Sequence, residues 1–356
     1  MAHIWVRAEQ RAFEQRVGLT PNGARALIAH GHRVTVEESS ARAIPITGYA
    51  QSGCEIAKAH SWVNAPVDAI IFGLKELDEA GPDLLHRHIM FGHAYKGQSA
   101  GPALLTRFKR GGGTLYDLEY LIADDGRRVA AFGYWAGFAG AAVGVMAWLA
   151  QERNQKLKSI AVYPNKDALI GELQNSLAGI EDQLARKRLS AIIIGALGRV
   201  GSGAADLTQA LEIPTTRWDM AQTAHGGPFP EILDHTIFIN CILASSGVPV
   251  FIPPAAIDAK RRLRVIADVS CDPNSAYNPI PIYEHSTTFA DPLIRVRGKP
   301  DYLDVMAIDN LPSLLPVESS EDYANQLLPY LLTLDAIDQS VWRRARETFL
   351  EHTNVP

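Results

Sequence analysis

Residues 191–211 read AIIIGALGRVGSGAADLTQAL. Ala191–Ile194 is a short, wholly apolar run, the kind demanded of a strand buried on both faces of a parallel sheet. It passes directly into Gly195-Ala-Leu-Gly198-Arg-Val-Gly201-Ser-Gly203 and then into a helix-length segment. Glycines at such a strand-to-helix turn let the backbone approach a pyrophosphate, whose charge rests on the N–H groups of the helix start. The spacing is G-x-x-G-x-x-G rather than the literal G-x-G-x-x-G. A second strand ends at Trp218-Asp219, and Asp219 follows Gly195 by 24 residues. That is close to the ~20 expected for the acidic residue that holds the adenosine ribose hydroxyls. A carboxylate there repels a 2′-phosphate, so the segment points to NAD rather than NADP. The alternative is a glycine turn needed only for tight helix–strand packing.

Outward from this unit, further strands are expected at Thr215–Trp218, Ile237–Asn240, Val265–Val269 and Leu303–Ile308. The first half of the chain repeats the alternation. A strand at His3–Ala8 precedes a helix that starts at Thr20-Pro21, Thr as N-cap and Pro in the first turn. Gly31 closes that helix. Strands follow at Arg33–Glu37 and Glu55–Ala57, with a short helix near Thr47–Ser52 between them. Three more strands are expected at Ala69–Phe72, Ile89–Phe91 and Thr114–Tyr116, each separated from the next by a helix-length stretch. Strands alternating with helices imply parallel sheets. The expected fold class is α/β, with two Rossmann-like, doubly wound, parallel-sheet domains and a cleft between them. From about Pro316 the chain turns helical, at Tyr323–Leu332 and Val341–His352, and this pair must return to a sheet already made. The expected domains are therefore 1–132 plus 317–356, a discontinuous substrate and catalytic domain, and 133–316, the dinucleotide-binding domain.

Composition narrows the class. The chain has 356 residues, enough for about two domains. Lys+Arg number 34 against 39 Asp+Glu, so there is no basic excess to bind nucleic acid. Apolar residues make up 47%, which excludes a disordered chain. Three widely spaced cysteines, Cys54, Cys241 and Cys271, exclude a disulfide scaffold and fit a reducing, cytoplasmic setting. Residues 1–7 lack the features of a signal peptide, and Asn354-Val355-Pro356 is neither a peroxisomal address nor a prenylation motif. Val129–Ala150 is long and apolar, but it is rich in Ala and Gly and splits into a strand-like Val129–Phe132 and a helix. A buried helix crossing between domains is preferred over a membrane span. No membrane or nucleic-acid partner is expected, and the chain reads as a monomer or weak oligomer.

Three successive strands of the first half run into polar groups. Phe72 leads to Gly73-Leu-Lys75-Glu76, Phe91 to Gly92-His93-Ala-Tyr-Lys96-Gly-Gln98, and Tyr116 to Asp117 and Glu119. In an open parallel sheet, ligands bind at the carboxyl ends of the strands. Lys75, His93, Lys96 and Glu119 thus fall where chemistry is expected. Burial or a neighbouring cation lowers a Lys pKa and makes an amine base available, while His moves protons near neutral pH. Taken singly, each has a plainer reading as a solvated Lys or a structural His. His86, His88 and His93 raise the question of a metal, but no Cys or carboxylate completes a site, and none is expected. Arg16, Arg127 and Arg128 are placed to grip carboxylates, or are simply solvated.

The segments RAE (7–9), EQRVGLTP (14–21), GLKE (73–76), GHAYKGQ (92–98), GTLYDLEYL (113–121), DGRRVAAFGYWAGFAGAAVG (125–144), GALGRVGSGA (195–204), RWD (217–219), GGPF (226–229), FINCI (238–242), ADVSCD (267–272), NPIPIY (278–283) and IDNLPSLLP (308–316) occur in one order. Together they resemble the L-lysine-forming, NAD-dependent saccharopine dehydrogenases, within the wider alanine dehydrogenase/transhydrogenase group. The resemblance implies oxidative cleavage of saccharopine by NAD⁺ and water to L-lysine and 2-oxoglutarate. It implies Lys75 as proton acceptor and His93 as proton donor, with Lys96 and Glu119 as auxiliary ionisable residues. It further implies substrate contacts at Arg16, Lys75, Gln98, Arg128, Phe132, Ser270 and Asp272. Cofactor contacts are implied at Arg127, Gly198, Arg199, Asp219, Thr223, Val269, Ile308, Asp309 and Leu311, beside the turn glycines Gly195 and Gly201.

Four positions depart from the fungal pattern. Val200 replaces a Cys, so no disulfide to Cys241 can form. Leu243, counted here with the cofactor contacts, replaces a Tyr. Asn310 replaces a His and His225 an Arg. Two rival readings stay open: a related dehydrogenase acting on a smaller amino acid such as alanine, and a non-catalytic NAD-binding regulator.

Overall fold

The computed structural model describes residues 1–243 and 245–353; the C-terminal tripeptide read above lies outside them. The chain divides into two compact units, Met1–Ala131 with Pro316–Pro356, and Phe132–Leu315.

In the first unit, β1 (His3–Val6), β2 (Arg33–Glu37), β3 (Glu55–Ala57), β4 (Ile70–Phe72), β5 (Arg87–Met90) and β6 (Thr114–Asp117) form one sheet in the order β3-β2-β1-β4-β5-β6. Every pairing is parallel. The order reverses between β1 and β4, so their carboxyl ends flank a crevice, the usual ligand address of such sheets. The helix Pro21–Ala29 starts as its sequence dictates, the Thr20 hydroxyl accepting the Gly23 N–H. The stretch between β4 and β5 is not the helix expected from its length. Residues 78–83 read DEAGPD, in which Asp78, Gly81, Pro82 and Asp83 are turn formers. Arg107 holds them as a loop by donating to the Asp78 and Pro82 carbonyls at 2.7 and 2.9 Å. The helices Pro316–Leu331 and Ser340–Thr353 belong to this unit. Trp342 is fully buried edge-on to Tyr116, and Phe349 packs on Phe108. Burial of a side chain such as Phe108 contributes about 1.5–3 kcal/mol.

In the second unit, β7 (Ala191–Ile194), β8 (Thr215–Trp218), β9 (Ile237–Asn240), β10 (Val265–Asp268), β11 (Ile294–Arg297) and β12 (Leu303–Met306) form a sheet in the order β8-β7-β9-β10-β12-β11. Its switch point lies between β7 and β9. One strand corrects the expectation of a purely parallel sheet: β11 runs antiparallel to β12. Only five residues, 298–302, join the two, and so short a link permits only a hairpin. Arg295 fastens it across the pair with two bonds to Asp304, at 2.8 and 2.9 Å.

The helix Gly133–Glu152 is apolar on every side because it is buried on nearly every side. It is long and apolar enough to cross a membrane, yet 83% of its most apolar window is covered by protein. It lies wholly within the second unit instead of bridging two domains. A Cβ at Gly137 would stand 1.8 Å from the Val200 carbonyl oxygen, and one at Gly203 1.9 Å from that of Tyr134. Backbone therefore lies on backbone between this helix and the helix Arg199–Ala210, an approach only glycine allows. Val129–Phe132 is not a strand: a tight turn at Gly126 pairs Arg128 with Ile122 in a single bridge, and Phe132 then caps the long helix.

Candidate active site

The polar cluster of the first unit is built on the tips of β4, β5 and β6. Lys75 stands three residues beyond β4 and His93 three beyond β5, while Glu119 lies in the short 3-10 turn after β6. The structure brings these three together with Lys96 and Arg16. His93 Nδ1 lies 3.8 Å from Glu76 Oε2, and Lys96 Nζ lies 2.8 Å from Glu119 Oε1. Gln98 Oε1 accepts the Lys96 amide at 2.8 Å. Arg16 and Glu14, both almost fully buried, form a two-pronged ion pair with bonds of 2.8 and 2.6 Å. His93 has φ +49°, a left-handed conformation that a residue with a Cβ rarely adopts and that clusters at functional sites.

Burial and charge set the protonation of this cluster. Burial lowers the Lys75 pKa from its usual range, and the Arg16 cation reinforces it. Burial also lowers His93, with the Lys75 charge adding to the effect. Glu14 is pushed up by burial, but its hydrogen bond and ion pair with Arg16 win, so it stays below the usual carboxylate range. The Glu119 hydrogen bond raises Lys96. Burial pushes Glu119 up, yet Lys96 and then Arg128 outweigh it and hold it low. An arrangement with an amine, an imidazole and carboxylates of separated acidity is what proton transfer needs.

Glu14, Glu76 and Asp117 are members of this cluster that the sequence reading assigned no role. Asp117 ends β6 fully buried and accepts the Gly92 and Glu119 amides at 3.1 and 2.9 Å. Burial pushes its carboxyl up to about 6. Its signal was a lone Asp closing an apolar strand.

In the second unit the tips of β7, β8 and β9 carry little charge. Gly195 has φ +86°, and a Cβ at Gly201 would stand 2.2 Å from the Gly195 carbonyl oxygen, so the turn closes on itself. Gly198 differs. A Cβ there would meet only that same oxygen, at 3.4 Å, an ordinary contact. The fold does not need glycine at 198, whereas a close-lying phosphate would. Gly198 caps the helix Arg199–Ala210, whose first turn offers N–H groups to an anion. Asp219 ends the neighbouring strand, and its carboxylate accepts the Leu197 and Met220 amides at 2.9 and 2.8 Å. Leu197, Met220 and Leu243 stand 86%, 78% and 74% exposed just beyond β7, β8 and β9, an apolar rim suited to a flat base. Leu197 and Met220 were not singled out in the sequence.

The remaining expected contacts are placed as follows. Thr223 donates to the Asp219 carbonyl at 3.3 Å. Ser270 donates to the Ile242 carbonyl. Ile308 and Leu311 are buried in the core, Val269 is half-buried, and Asp272 and Asp309 are exposed. Phe132 opens the second unit, while Arg127 and Arg128 are exposed in the first. Among the described residues no group of three His, Cys, Asp or Glu side chains is placed to hold a metal, and His88 is sealed in the core. The hollow of about 550 Å³ near Gln151, Arg264 and Tyr302 opens at the amino ends of β10 and β12, away from the glycine turn.

Two sheets of this order, one ending in a glycine turn and one in a cluster of ionisable side chains, define an α/β dehydrogenase of the two-Rossmann-unit class. The fold is that of a solved L-alanine dehydrogenase, with TM-score 0.67 and 17% identity over 99% of this chain and 95% of the other. Residues 5–139 match the alanine dehydrogenase/PNT N-terminal domain family. The saccharopine dehydrogenase [NAD(+), L-lysine-forming] of Candida albicans is 44% identical, covering 98% of this chain and 96% of its own. That of Schizosaccharomyces pombe is 43% identical, covering 98% and 97%. The chain belongs to the NAD(+)-dependent, L-lysine-forming saccharopine dehydrogenase family.

Proposed function

We propose that this chain catalyses the reversible, NAD-dependent cleavage of L-saccharopine, in which saccharopine, NAD⁺ and water give L-lysine, 2-oxoglutarate, NADH and a proton. One observation carries the reading: 43–44% identity, over 98% of the chain, to relatives of that name.

NAD supplies the acceptor for the hydride that leaves the glutamyl Cα. Lys75, its pKa lowered by burial and by Arg16, takes the proton from the substrate's secondary amine. The freed lone pair then forms the imine as the hydride departs. His93 takes a proton from the attacking water and returns it to the departing lysine amine, a task suited to an imidazole lowered by burial and by the Lys75 charge. The Lys96–Glu119 pair sets the charge beside His93. The substrate's several carboxylates call for arginines, and Arg16 and Arg128 supply them. Gln98, Phe132, Ser270 and Asp272 are the further substrate contacts in this reading. Gly195, Gly198, Arg199, Gly201, Asp219, Thr223, Leu243, Val269, Ile308, Asp309 and Leu311, with Arg127, are the cofactor contacts. That a Cβ at Gly198 would meet protein only at ordinary contact distance supports pyrophosphate binding there. The reading includes a cytoplasmic enzyme, supported by three free thiols.

The test compares NADH oxidation with 2-oxoglutarate plus L-lysine against pyruvate plus ammonia. Turnover with the first pair alone is expected. Turnover with the second pair alone overturns the substrate, and NADH binding without turnover on either makes the chain a regulator.

A further inference from the structure

We propose that Arg7 and Glu9 are positioning residues that hold Lys75 in register for proton transfer, an inference that rests on the base role of Lys75 argued above. β1 ends at Val6 and β4 at Phe72, and these two residues are partners in the register. Arg7 therefore leaves its strand beside Gly73, its amide donating to the Phe72 carbonyl at 2.9 Å. Its guanidinium then crosses the tip of β4. It donates to the Lys75 carbonyl and, at 3.2 Å, to the Ala8 carbonyl, and it pairs with Glu9 at 3.5 Å. Glu9 closes the clasp from the other side, accepting the Leu74 amide at 2.6 Å and the Lys75 amide at 3.0 Å. Both backbone polar groups of Lys75 are thus bound by one ion pair.

Two further observations single this pair out. A Cβ at Gly73 would stand 2.3 Å from Arg7 Nε, so glycine in GLKE clears the path of the guanidinium. Arg7 is also fully buried, and its Nε meets no hydrogen-bond acceptor among the described residues. A sealed cation with an idle donor is unfavourable for stability alone and calls for another reason. Holding Lys75 supplies one, since a general base must lie within hydrogen-bond reach of its proton. A lysine at position 7 lacks the planar fork that spans two carbonyls and a carboxylate at once.

The test is a double-mutant cycle, read as kcat with saccharopine and NAD⁺, with KM for NAD⁺ and NADH fluorescence titration alongside. Glu9→Gln keeps the side chain's size but turns an NH₂ toward a backbone N–H. It should lower kcat roughly 10- to 100-fold, the cost of a misplaced reacting group, and leave KM for NAD⁺ unchanged. In a Lys75→Met background the same substitution should cost nothing further. An equal loss in both backgrounds shows a general structural role and overturns the proposal, as does no loss in the native background. Full turnover by Lys75→Met alone removes the base role of Lys75, and this proposal with it, and is distinguishable from the other two results. Arg7→Lys passes through the same cycle and decides the question if Glu9→Gln melts below the assay temperature.

Discussion

The two sheets share a topology around their switch points but differ in what stands on the strand tips. Beyond β4, β5 and β6 come Lys75 and two pairs of ionisable side chains, His93 with Glu76 at 3.8 Å and Lys96 with Glu119 at 2.8 Å. Beyond β7 and β8 come a glycine turn, a helix start and one capping carboxylate, Asp219. Identical backbone addresses therefore serve opposite purposes. On the proposed reading, one uses side chains whose protonation burial and neighbours can shift, and the other removes side chains so that backbone dipoles reach a fixed anion.

The largest expected effect breaks the first sheet and spares the second. Lys75→Met with His93→Gln should cut turnover by about 10²–10⁴-fold, the ordinary worth of acid–base catalysis, with NADH affinity unchanged by fluorescence titration. A parallel loss of NADH affinity would erase the division of labour.

Asp117 sharpens the contrast through pH. Burial raises its carboxyl to about 6, against about 3.8 when unfolded. A group raised on folding stabilises fully below its unfolded pKa and loses that contribution as pH rises through the folded one. Between pH 4 and 7 the loss amounts to about 2 kcal/mol. Urea unfolding of the protein and of Asp117→Asn should therefore diverge by up to that amount across the interval. Parallel pH dependences would mean that Asp117 ionises freely in the folded chain.

The smallest effect separates two glycines of one turn. Gly201→Ala forces a Cβ against the Gly195 carbonyl and should cost about 1–3 kcal/mol in a thermal or urea melt. Gly198→Ala should melt like the parent but bind NADH about tenfold more weakly, since its added methyl meets phosphate rather than protein. Unchanged affinity in Gly198→Ala would move the pyrophosphate elsewhere.

The central strands were legible because they are buried on both faces: Ile70–Phe72 and Ala191–Ile194 have no polar side to obscure them. β11 was not, because an edge strand reading IRVR is only partly buried and carries no continuous apolar run. Its Gly-Lys-Pro-Asp link was the available signal. The loop at 73–86 matched a helix in length alone, and its turn formers outweighed that. Lys75, His93, Lys96 and Glu119 were found because strand ends are the expected ligand address. Arg7 and Glu9 received no role, because the Leu74 and Lys75 backbone groups they bind lie beyond a different strand; Glu14 received none because its pairing with Arg16, two residues on, shows only in the folded loop.

The sequence by itself determined that apolar strands alternate with helices, that glycines follow Ile194, and that ionisable residues follow β4, β5 and β6. Periodicity, turn chemistry and residue type are local properties, so they are written along the chain. Only the tertiary structure decided that β1 lies beside β4, which sets Arg7 against the Lys75 carbonyl across 68 positions of sequence. The same burial that stabilises the sheet lowers Lys75 and raises Asp117. Sheet order and desolvation arise from many distant residues acting at once, and no single segment encodes them.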